Sequence, residues 1–183
     1  MIKLTSAAAL IGAAAIALAA PAAAKNPMVG GAAMYSTKNI VQNAVNSKDH
    51  TTLVAAVKAA GLVDTLSGKG PFTVFAPTNA AFAKLPAGTV ESLVKPENKA
   101  MLTKILTYHV VPGTYTAASI ASLAARHGGT ATLKTVEGEN LRLMKSHGGW
   151  VVVDSKGGRS HITIPNVMQS NGVIHVVDSV LMP

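Results

Sequence analysis

The stretch that decides the fold is GPFTVFAPTNAAF, residues 70–82. Its Gly-Pro pair is a turn signal, and apolar residues then occupy both faces of a strand that we predict over Phe72–Ala76. Pro77 ends this strand because proline has no N–H to donate to a neighbouring strand. Thr78 and Asn79 follow, and their side-chain oxygens can accept hydrogen bonds from the free N–H groups of the helix that we expect next. A strand that is apolar on both faces must be covered on both sides, so this stretch predicts the centre of a core.

The rest of the chain divides into a mainly helical part and a later part that is rich in strands. Apolar residues recur at helical spacing in Thr52–Ala60 and again in the segment that reaches His109. The later part contains short strand patterns separated by Gly-rich turns, as in antiparallel hairpins. The predicted strands are Thr130–Thr135, Asn140–Lys145, Trp150–Asp154, Ser160–Ile164 and Val173–Val177. Because helices and strands are segregated along the chain, the sequence predicts an α+β fold.

The first 24 residues have the features of a cleavable secretory signal peptide. Lys3 supplies the positive charge, an apolar run follows over Ala7–Ala20, and Ala22–Ala24 is a small-residue cleavage pattern. The apolar run is too short and too rich in alanine for a membrane span of about 20 residues, and no other stretch is long and apolar enough. We therefore predict cleavage after Ala24, no membrane insertion, and a mature protein in the periplasm or outside the cell.

The remaining sequence predicts one domain behind a loose segment. Residues 25–36 contain Gly, Pro and small residues without periodicity, so we expect a flexible leader there. Residues 37–183 fit a single domain of ordinary size, which can bury enough apolar surface to be stable without disulfides. The chain contains 0 Cys residues, which excludes disulfides and thiolate chemistry.

The charge balance favours anionic partners. The chain contains 16 Lys and Arg residues against 8 Asp and Glu residues, a formal net charge of +8. Such an excess attracts acidic surfaces, among which we expect an acidic polysaccharide. The basic residues are dispersed and aromatic residues make up only 4%, so stacking platforms for bases are missing and a nucleic-acid partner is not expected. The alternative is that the dispersed charge only keeps the surface soluble.

Three segments resemble the conserved boxes of one protein family. They are FTVFAPTNAAF at Phe72–Phe82, ILTYHVVPG at Ile105–Gly113 and NGVIHVVDSVLMP at Asn171–Pro183. In this order and at this spacing they resemble a single fasciclin (FAS1) domain that covers residues 37–183. The resemblance implies a compact α+β domain with an antiparallel β-sandwich or wedge and helices packed beside it. It also implies a secreted or surface-attached protein that takes part in cell adhesion or matrix binding and is not an enzyme.

The pair Tyr108 and His109 is the candidate binding site, because the resemblance implies that this pair belongs to an adhesion motif. The alternative is that His109 is buried and hydrogen-bonded, and joins the end of a helix to the sheet. Apolar residues flank the pair on both sides, which favours this alternative. A buried histidine disfavours its charged form, so we expect acid to loosen the domain. Asn79 is a departure from the family pattern, since many members have Asp there.

The sequence lacks the patterns that catalysis or cofactor binding would require. The six His residues are not spaced as metal ligands and no H-E-x-x-H pattern occurs, so we expect no metal. No G-x-S-x-G elbow occurs, and on a strand His175 and Asp178 point to opposite faces, which argues against a triad with Ser179. No phosphate-binding glycine loop is present, and we expect no cofactor.

Three functions remain to be distinguished. The leading hypothesis is a secreted or periplasmic protein that mediates attachment by binding a cell-surface or matrix protein or an acidic polysaccharide. The alternative is a periplasmic module that holds a small apolar ligand between helices and sheet, which a deep apolar pocket with a few polar groups would favour. A weaker third hypothesis is an envelope hydrolase, which a cleft with hydrogen-bonded titratable residues would favour.

Overall fold

The structure is a computed structural model that describes residues 26–183 of the chain. The signal peptide predicted over residues 1–24 lies outside the described residues. The described helices are α1 (Ile40–Ala44), α2 (Thr51–Ala60), α3 (Val63–Ser67), α4 (Asn79–Ala83), α5 (Thr89–Leu93), α6 (Lys99–Tyr108) and α7 (Ala117–Arg126). The described strands are β1 (Met28–Val29), β2 (Ala32–Ala33), β3 (Phe72–Pro77), β4 (Val110–Pro112), β5 (Thr130–Lys134), β6 (Asn140–Ser146), β7 (Gly149–Val153), β8 (Arg159–Gln169) and β9 (Gly172–Val177). Single turns of 3₁₀-helix at Lys48–His50 and Pro96–Asn98 precede α2 and α6.

Strands β3 to β9 form one mixed sheet in the order β4-β3-β9-β8-β7-β6-β5. The neighbours from β5 to β9 pair antiparallel, as the Gly-rich turns predicted. β3 and β9 are parallel, with Phe72 opposite Gly172 and Pro77 opposite Val177. No turn pattern could indicate this pair, because its strands come from distant parts of the chain. The predicted α+β architecture is confirmed.

β3 lies at the centre of the fold. The exposed fractions of Val74, Phe75 and Ala76 are 5%, 0% and 3%. Val74 and Ala76 pack on one side of the sheet, and Phe75 packs on the other. The prediction of a strand that is covered on both sides is therefore confirmed, although the strand continues through Pro77.

Two separate cores lie on the two sides of the β3–β9 pair. The helix-side core lies under α1 to α6, and its buried members include Ile40, Leu53, Val57, Val74, Ala76, Leu102, Leu106, Ile174 and Val176. The hairpin-side core is enclosed by α7 and the strands β5 to β7, and its buried members include Phe75, Tyr108, Ile120, Leu133, Leu141, Leu143, Val152, Val177 and Leu181. β8 pairs with β7 at its start and with β9 along the rest, and its register shifts around Ile164 let the sheet change direction there.

The segment that we expected to be a flexible leader covers residues 25–36, and its described part, residues 26–36, is packed against the domain. β1 and β2 form a small hairpin, and the exposed fractions of Val29 and Met34 are 3% and 2%. Both side chains belong to the helix-side core. The structure therefore differs from a loose leader at these two residues, and two buried anchors in so short a segment leave no periodic pattern to detect.

The backbones of β3 and β9 approach one another so closely at their starts that glycine is required there. A Cβ on Gly172 would collide with the carbonyl oxygen of Phe72, and a Cβ on Gly70 would collide with the carbonyl oxygen of Asn171. Glycine allows this close approach because it has no side chain. The start of the parallel pair therefore depends on both glycines.

Candidate functional site

Tyr108 ends α6 inside the hairpin-side core, with an exposed fraction of 0%. Its hydroxyl donates to the carbonyl oxygen of Asn140 at 3.2 Å and accepts from the N–H of Ser155 at 2.9 Å. Burial raises the pKa of this hydroxyl, so it stays neutral. Tyr108 therefore joins α6 to the start of β6 and to the turn that follows β7.

His109 is the next residue and is also buried, with an exposed fraction of 2%. Its Nδ1 lies 2.8 Å from the carbonyl oxygen of Ile105, and its Nε2 lies 3.0 Å from the N–H of Leu181. The carbonyl can only accept and the N–H can only donate, so the neutral ring carries its proton on Nδ1. Burial lowers the pKa of His109 to about 4, although the Ile105 carbonyl and the charge of Asp154 act in the opposite direction.

The candidate binding pair is therefore placed in the interior. Both side chains are buried, and each uses its polar atoms to join separate segments of the chain. The predicted adhesive surface made by Tyr108 and His109 is not what this structure presents, because a partner could not reach either side chain. The contacts are those of the structural alternative, in which the pair joins the end of a helix to the sheet.

His175 occupies a similar position on β9. Its Nε2 lies 2.7 Å from the carbonyl oxygen of Tyr115, its Nδ1 accepts from the N–H of Asn166 at 3.3 Å, and its ring stacks on Phe75. Asp178 contacts His161 and Lys84 instead, as the alternation along the strand predicted. His175 is therefore not brought to Asp178 and Ser179, although the Ser179 hydroxyl itself donates to Asp178 at 3.2 Å.

Asn79 has a role that the sequence did not indicate. Its Oδ1 accepts from the N–H of Thr52 at 3.0 Å, and its Nδ2 donates to the carbonyl oxygen of Lys48 at 2.8 Å. The helix that begins at Asn79 is capped by Thr78 alone, which accepts from the N–H of Ala81. Asn79 thus caps α2, which is distant in sequence. An amide suits this position because a carboxylate could not donate to Lys48.

Asn171 connects three segments at the start of β9. Its Oδ1 accepts from the N–H of Ile40 at 3.0 Å. Its Nδ2 donates to the carbonyl oxygens of Leu66 at 2.8 Å and Gly68 at 2.9 Å. The sequence identified this residue only as part of a turn, but its side chain holds α1 and the end of α3 against the sheet.

A candidate surface for binding lies on the outer face of β5 to β8. Alternation along the strands sends Leu133, Leu141, Leu143 and Val152 into the hairpin-side core and places their neighbours on the opposite face. We call this opposite face the basic sheet face, and we define it by its exposed side chains Lys134, Arg142, Arg159 and His161. Arg142 and Arg159 lie on either side of Val153 in the register, so their backbones are about 10 Å apart.

Within residues 26–183, Lys134, Arg142 and Arg159 of this face have no carboxylate partner, whereas His161 has one. The strands β5 to β8 contain no Asp or Glu. Glu137 and Glu139, in the turn between β5 and β6, lie 3.6 and 3.8 Å from Lys104, and Asp178 lies 3.5 Å from His161. Among residues 26–183, no ion pair involves Lys134 or either arginine of the face. Those three cations are therefore available to an acidic partner.

Alternation along the predicted strands indicates this face, although the order of charges along the chain does not. The basic residues of the face come from three different strands, and no two of them are adjacent in the chain. The predicted strands β5, β6 and β8, with alternate residues on each face, would have placed Lys134, Arg142 and His161 opposite the buried leucines. A search for adjacent Lys and Arg residues could not find them.

Two further properties of the described chain bear on its class. Within residues 26–183, no helix combines the length and the apolar character that are needed to cross a bilayer. In the same range, no three His, Asp or Glu side chains are grouped so that they could hold a metal ion. Tyr108, His109 and His175 use their polar atoms on backbone groups of the chain itself, so none of them is a free ligand for a cofactor.

The fold defines an α+β domain in which a parallel pair of strands separates two cores and internal tyrosine and histidine side chains join the elements. The family model of the fasciclin domain matches residues 48–183. The chain therefore belongs to the fasciclin domain family, as the three sequence boxes predicted. The packed hairpin at β1 and β2 lies ahead of the matched residues.

Similar proteins come from bacteria and from an insect. The chain is 49% identical over 161 residues to Protein sll1483 of Synechocystis, covering 87% of this chain and 81% of that protein. It is 35% identical over 196 residues to the Immunogenic protein MPB70 of Mycobacterium bovis, covering 97% of this chain and 93% of that protein. A solved FAS1 domain pair from the insect cell adhesion molecule fasciclin I superimposes with a TM-score of 0.70 at 19% identity, covering 80% of this chain and 51% of that one. The last match shows the shared fold.

Proposed function

We propose that this protein attaches cells to surfaces, to matrix or to one another by binding an acidic polysaccharide on the basic sheet face. It acts after export to the periplasm or the cell exterior, as a scaffold that uses no cofactor and turns over no substrate. The observation that carries the proposal is the pair Arg142 and Arg159, which is exposed on a face of the sheet without carboxylates.

The chemistry of the face suits the carboxylate or sulfate groups of such a polymer. A guanidinium group can donate two parallel hydrogen bonds to one such group, and it stays charged at every physiological pH. Lys134 adds a third cation beside the arginines. Several weak contacts of this kind along one polymer chain reinforce one another, since each bound group raises the effective concentration of the next.

The same face is poorly suited to single-stranded nucleic acid. Such ligands are bound by basic grooves in which exposed aromatic side chains stack on the bases. Trp150 is the aromatic residue of β5 to β8, and it is buried in the hairpin-side core. The face therefore supplies charge without stacking, which supports a polysaccharide over a nucleic acid.

The names of relatives support a role at the cell surface. The chain is 35% identical over 167 residues to a protein named Cell surface glycolipoprotein MPB83, of Mycobacterium bovis. The insect protein that shares the fold is a cell adhesion molecule by its title. Attachment is a function that accounts both for these names and for the exposed positive charges of Lys134, Arg142 and Arg159 on the basic sheet face.

The test measures binding of the mature protein to alginate, a polymer of uronic acids, and to neutral dextran. We expect alginate binding that weakens steeply with salt, and no binding to dextran, because the contacts are ionic. The double variant Arg142→Gln with Arg159→Gln should weaken alginate binding about tenfold. The matched control is Lys95→Gln with Lys99→Gln, which removes two exposed positive charges far from the face in sequence and should change the affinity little.

Two results would contradict the proposal. Equal loss of alginate binding in both double variants would mean that net charge, and not this face, attracts the polymer. Unchanged attachment of cells that lack the protein, together with no retention on alginate, would remove the attachment function itself. If the mature protein binds an envelope protein through a surface other than the basic sheet face, the partner is that protein and not the polysaccharide.

The export step has its own test. Mass spectrometry of the protein recovered from the periplasm or the medium should show a chain that begins at Lys25, because cleavage is expected after Ala24. A full-length chain found with the cytoplasmic fraction would contradict export.

A further inference from the structure

A small cavity lies inside the helix-side core, between α1 to α3 and the β3–β9 pair. Its volume is about 50 Å³, and its walls are almost entirely apolar. The side chains that line it include Val29, Met34, Ile40, Leu53, Val57 and Ile174. Polar side chains also reach the wall, and among them Ser47 and His50 are buried, with exposed fractions of 2% and 3%.

His50 differs from the other two buried histidines, His109 and His175. Those two use both ring nitrogens on backbone groups. His50 uses only its Nδ1, which lies 2.9 Å from Oγ of Ser47. Within the described residues, its Nε2 is the buried side-chain polar atom left without a hydrogen-bond partner. The carbonyl of Ala76 lies near the ring but does not meet the geometry of a hydrogen bond with Nε2.

The contact with Ser47 determines what the free nitrogen offers. The Ser47 hydroxyl is buried, and Nδ1 of His50 is its side-chain hydrogen-bond partner, so we assign the hydroxyl as the donor to Nδ1, because in the other tautomer its own proton would have no side-chain acceptor. The neutral ring then carries its proton on Nε2. Burial lowers the pKa of His50, against weaker opposite effects of the Ala76 carbonyl and of Asp49, so the ring is neutral at physiological pH. His50, one of the residues that line the cavity, therefore carries a neutral N–H donor without an acceptor.

We propose that this cavity binds a small apolar molecule that carries one hydrogen-bond-accepting oxygen, such as a short aliphatic ketone. The acceptor oxygen bonds Nε2–H of His50, and the aliphatic part contacts Val57, Leu53 and the other apolar walls. An isolated water would fit the volume but would be poorly held, because a buried water needs two to four polar partners and this wall offers few. The proposal rests on the cavity and the free donor and is independent of the basic sheet face.

The size and the position of the cavity limit the ligand. One water occupies roughly 10–15 Å³ on the same measure, so the space as it stands admits roughly three to five heavy atoms. The exposed Lys58 and the half-buried Val41, Val54 and Val63 also line it, which places its outer end at the surface among α1, α2 and α3. A ligand can therefore enter there without opening the sheet, and a longer substituent could leave along the same route.

The test uses two probes of similar size, butan-2-one and n-pentane, titrated into the mature protein. Binding is followed by the NMR signals of the His50 ring and of the methyl groups that line the cavity. We expect both probes to shift the methyl signals, and butan-2-one to bind about tenfold more tightly and to shift the ring N–H signal, because only it offers an acceptor.

His50→Phe is the variant that isolates the donor. It keeps a ring at this position and removes the N–H donor, but it also leaves the buried Ser47 hydroxyl without its acceptor, so we expect it to fold with a melting temperature a few degrees lower. The preference for butan-2-one over n-pentane should disappear in this variant. The control His127→Gln changes an exposed histidine far from the cavity and should keep the full preference.

Two outcomes would overturn the proposal. If neither probe shifts the methyl signals, the cavity does not admit a ligand of this class. If the two probes bind equally well to the original chain, or if His50→Phe keeps the preference, the free donor of His50 does not select an acceptor oxygen. If the NMR signal of the His50 ring N–H instead shows contact with one long-lived water, and neither probe changes it, the cavity holds that water and not a ligand.

Discussion

The two cores on either side of the β3–β9 pair are built differently. The hairpin-side core is enclosed by long strands, and Leu141, Leu143 and Val152 within it have exposed fractions of 0%. Its buried tyrosine has its hydroxyl hydrogen-bonded on both sides. The helix-side core contains a cavity and a histidine with an unused nitrogen.

The difference follows from the elements that cover each side. On the helix side, α1, α3, α4 and α5 contain 5 residues each. A helix of so few residues presents about one turn of side chains to the sheet, so neighbouring helices leave gaps between them. On the hairpin side, continuous strands place a side chain on the core at every second residue. The dense side therefore suits rigid internal contacts, and the looser side is where a small ligand can be accommodated.

The largest expected effect is that of Phe75→Ala. Truncation of a fully buried phenylalanine costs about 3–5 kcal/mol, and here it also removes the stacking on His175. We expect the variant to be largely unfolded, as measured by urea denaturation. Phe82→Ala removes the same atoms from the helix-side core and should cost less, because the shorter helices can move into the space. Near-original stability of Phe75→Ala would mean that β3 is not internal.

Acid should destabilise the domain through its buried histidines. The pKa of His109 is about 4 in the folded chain, below its ordinary value of 6.5. Above pH 6.5 the neutral His109 makes its full contribution to the free energy of unfolding. Between pH 6.5 and about pH 4, the unfolded chain binds a proton at this histidine that the folded chain does not, so the free energy of unfolding decreases as the pH falls. The loss is about 3 kcal/mol from His109. Burial lowers the pKa of His175 in the same direction and adds to it.

Urea denaturation at a series of pH values between 7 and 4 checks this expectation. His127→Gln is the control, because this histidine is exposed and the slope should survive its removal. A free energy of unfolding that stays level from pH 7 to pH 5 would contradict the buried, neutral state of these rings.

One substitution made on both sides compares the packing directly. Val152→Leu adds a methylene to the dense hairpin-side core and should destabilise the domain by about 1–3 kcal/mol. Val57→Leu adds the same group beside the cavity and should stabilise the domain by about 0.8 kcal/mol. Thermal melting of both variants measures the contrast, and equal destabilisation would mean that the cavity is closed to added atoms.

The smallest effect concerns the caps that hold the helix side together. Asn79→Ala leaves the N–H of Thr52, in the first turn of α2, without its side-chain acceptor and should cost about 1 kcal/mol, a decrease in melting temperature of roughly 2–4 °C. Asn79→Asp keeps the acceptor and loses only the donor to Lys48, so it should cost less. If Asn79→Asp lowered the melting temperature more than Asn79→Ala, the hydrogen bond to the Lys48 carbonyl would contribute more stability than the cap of α2.

The sequence predicted those parts of the fold that depend on local patterns. The apolar strand around Val74 and the hairpin strands were visible because alternation and turn residues lie within a few positions of one another. The parallel partner of β3 was not visible, since Gly172–Val177 is far away in the chain. β8 was predicted to end at Ile164, but it continues past Pro165 because register shifts there leave the proline nitrogen out of the ladder.

The candidate sites were less accessible to sequence reasoning than the fold. The apolar neighbours of Tyr108 and His109 pointed to burial, but the hydrogen-bond partners Asn140, Ser155 and Leu181 come from other elements and could not be named. The cavity near His50 depends on the space left between packed helices. No residue type or spacing in the sequence indicates an empty volume between helices, so only the structure could locate the cavity.

The position of β9 has a consequence for the order of events in the cell. This strand is made after β3 to β8, yet it lies between β3 and β8 in the middle of the sheet. Until β9 has been synthesised, β3 has no parallel neighbour and the two halves of the domain cannot be joined, so folding waits for this strand. A polypeptide held back in this way stays unfolded until Gly172–Val177 has left the ribosome, which is later than a sheet of consecutive hairpins would require.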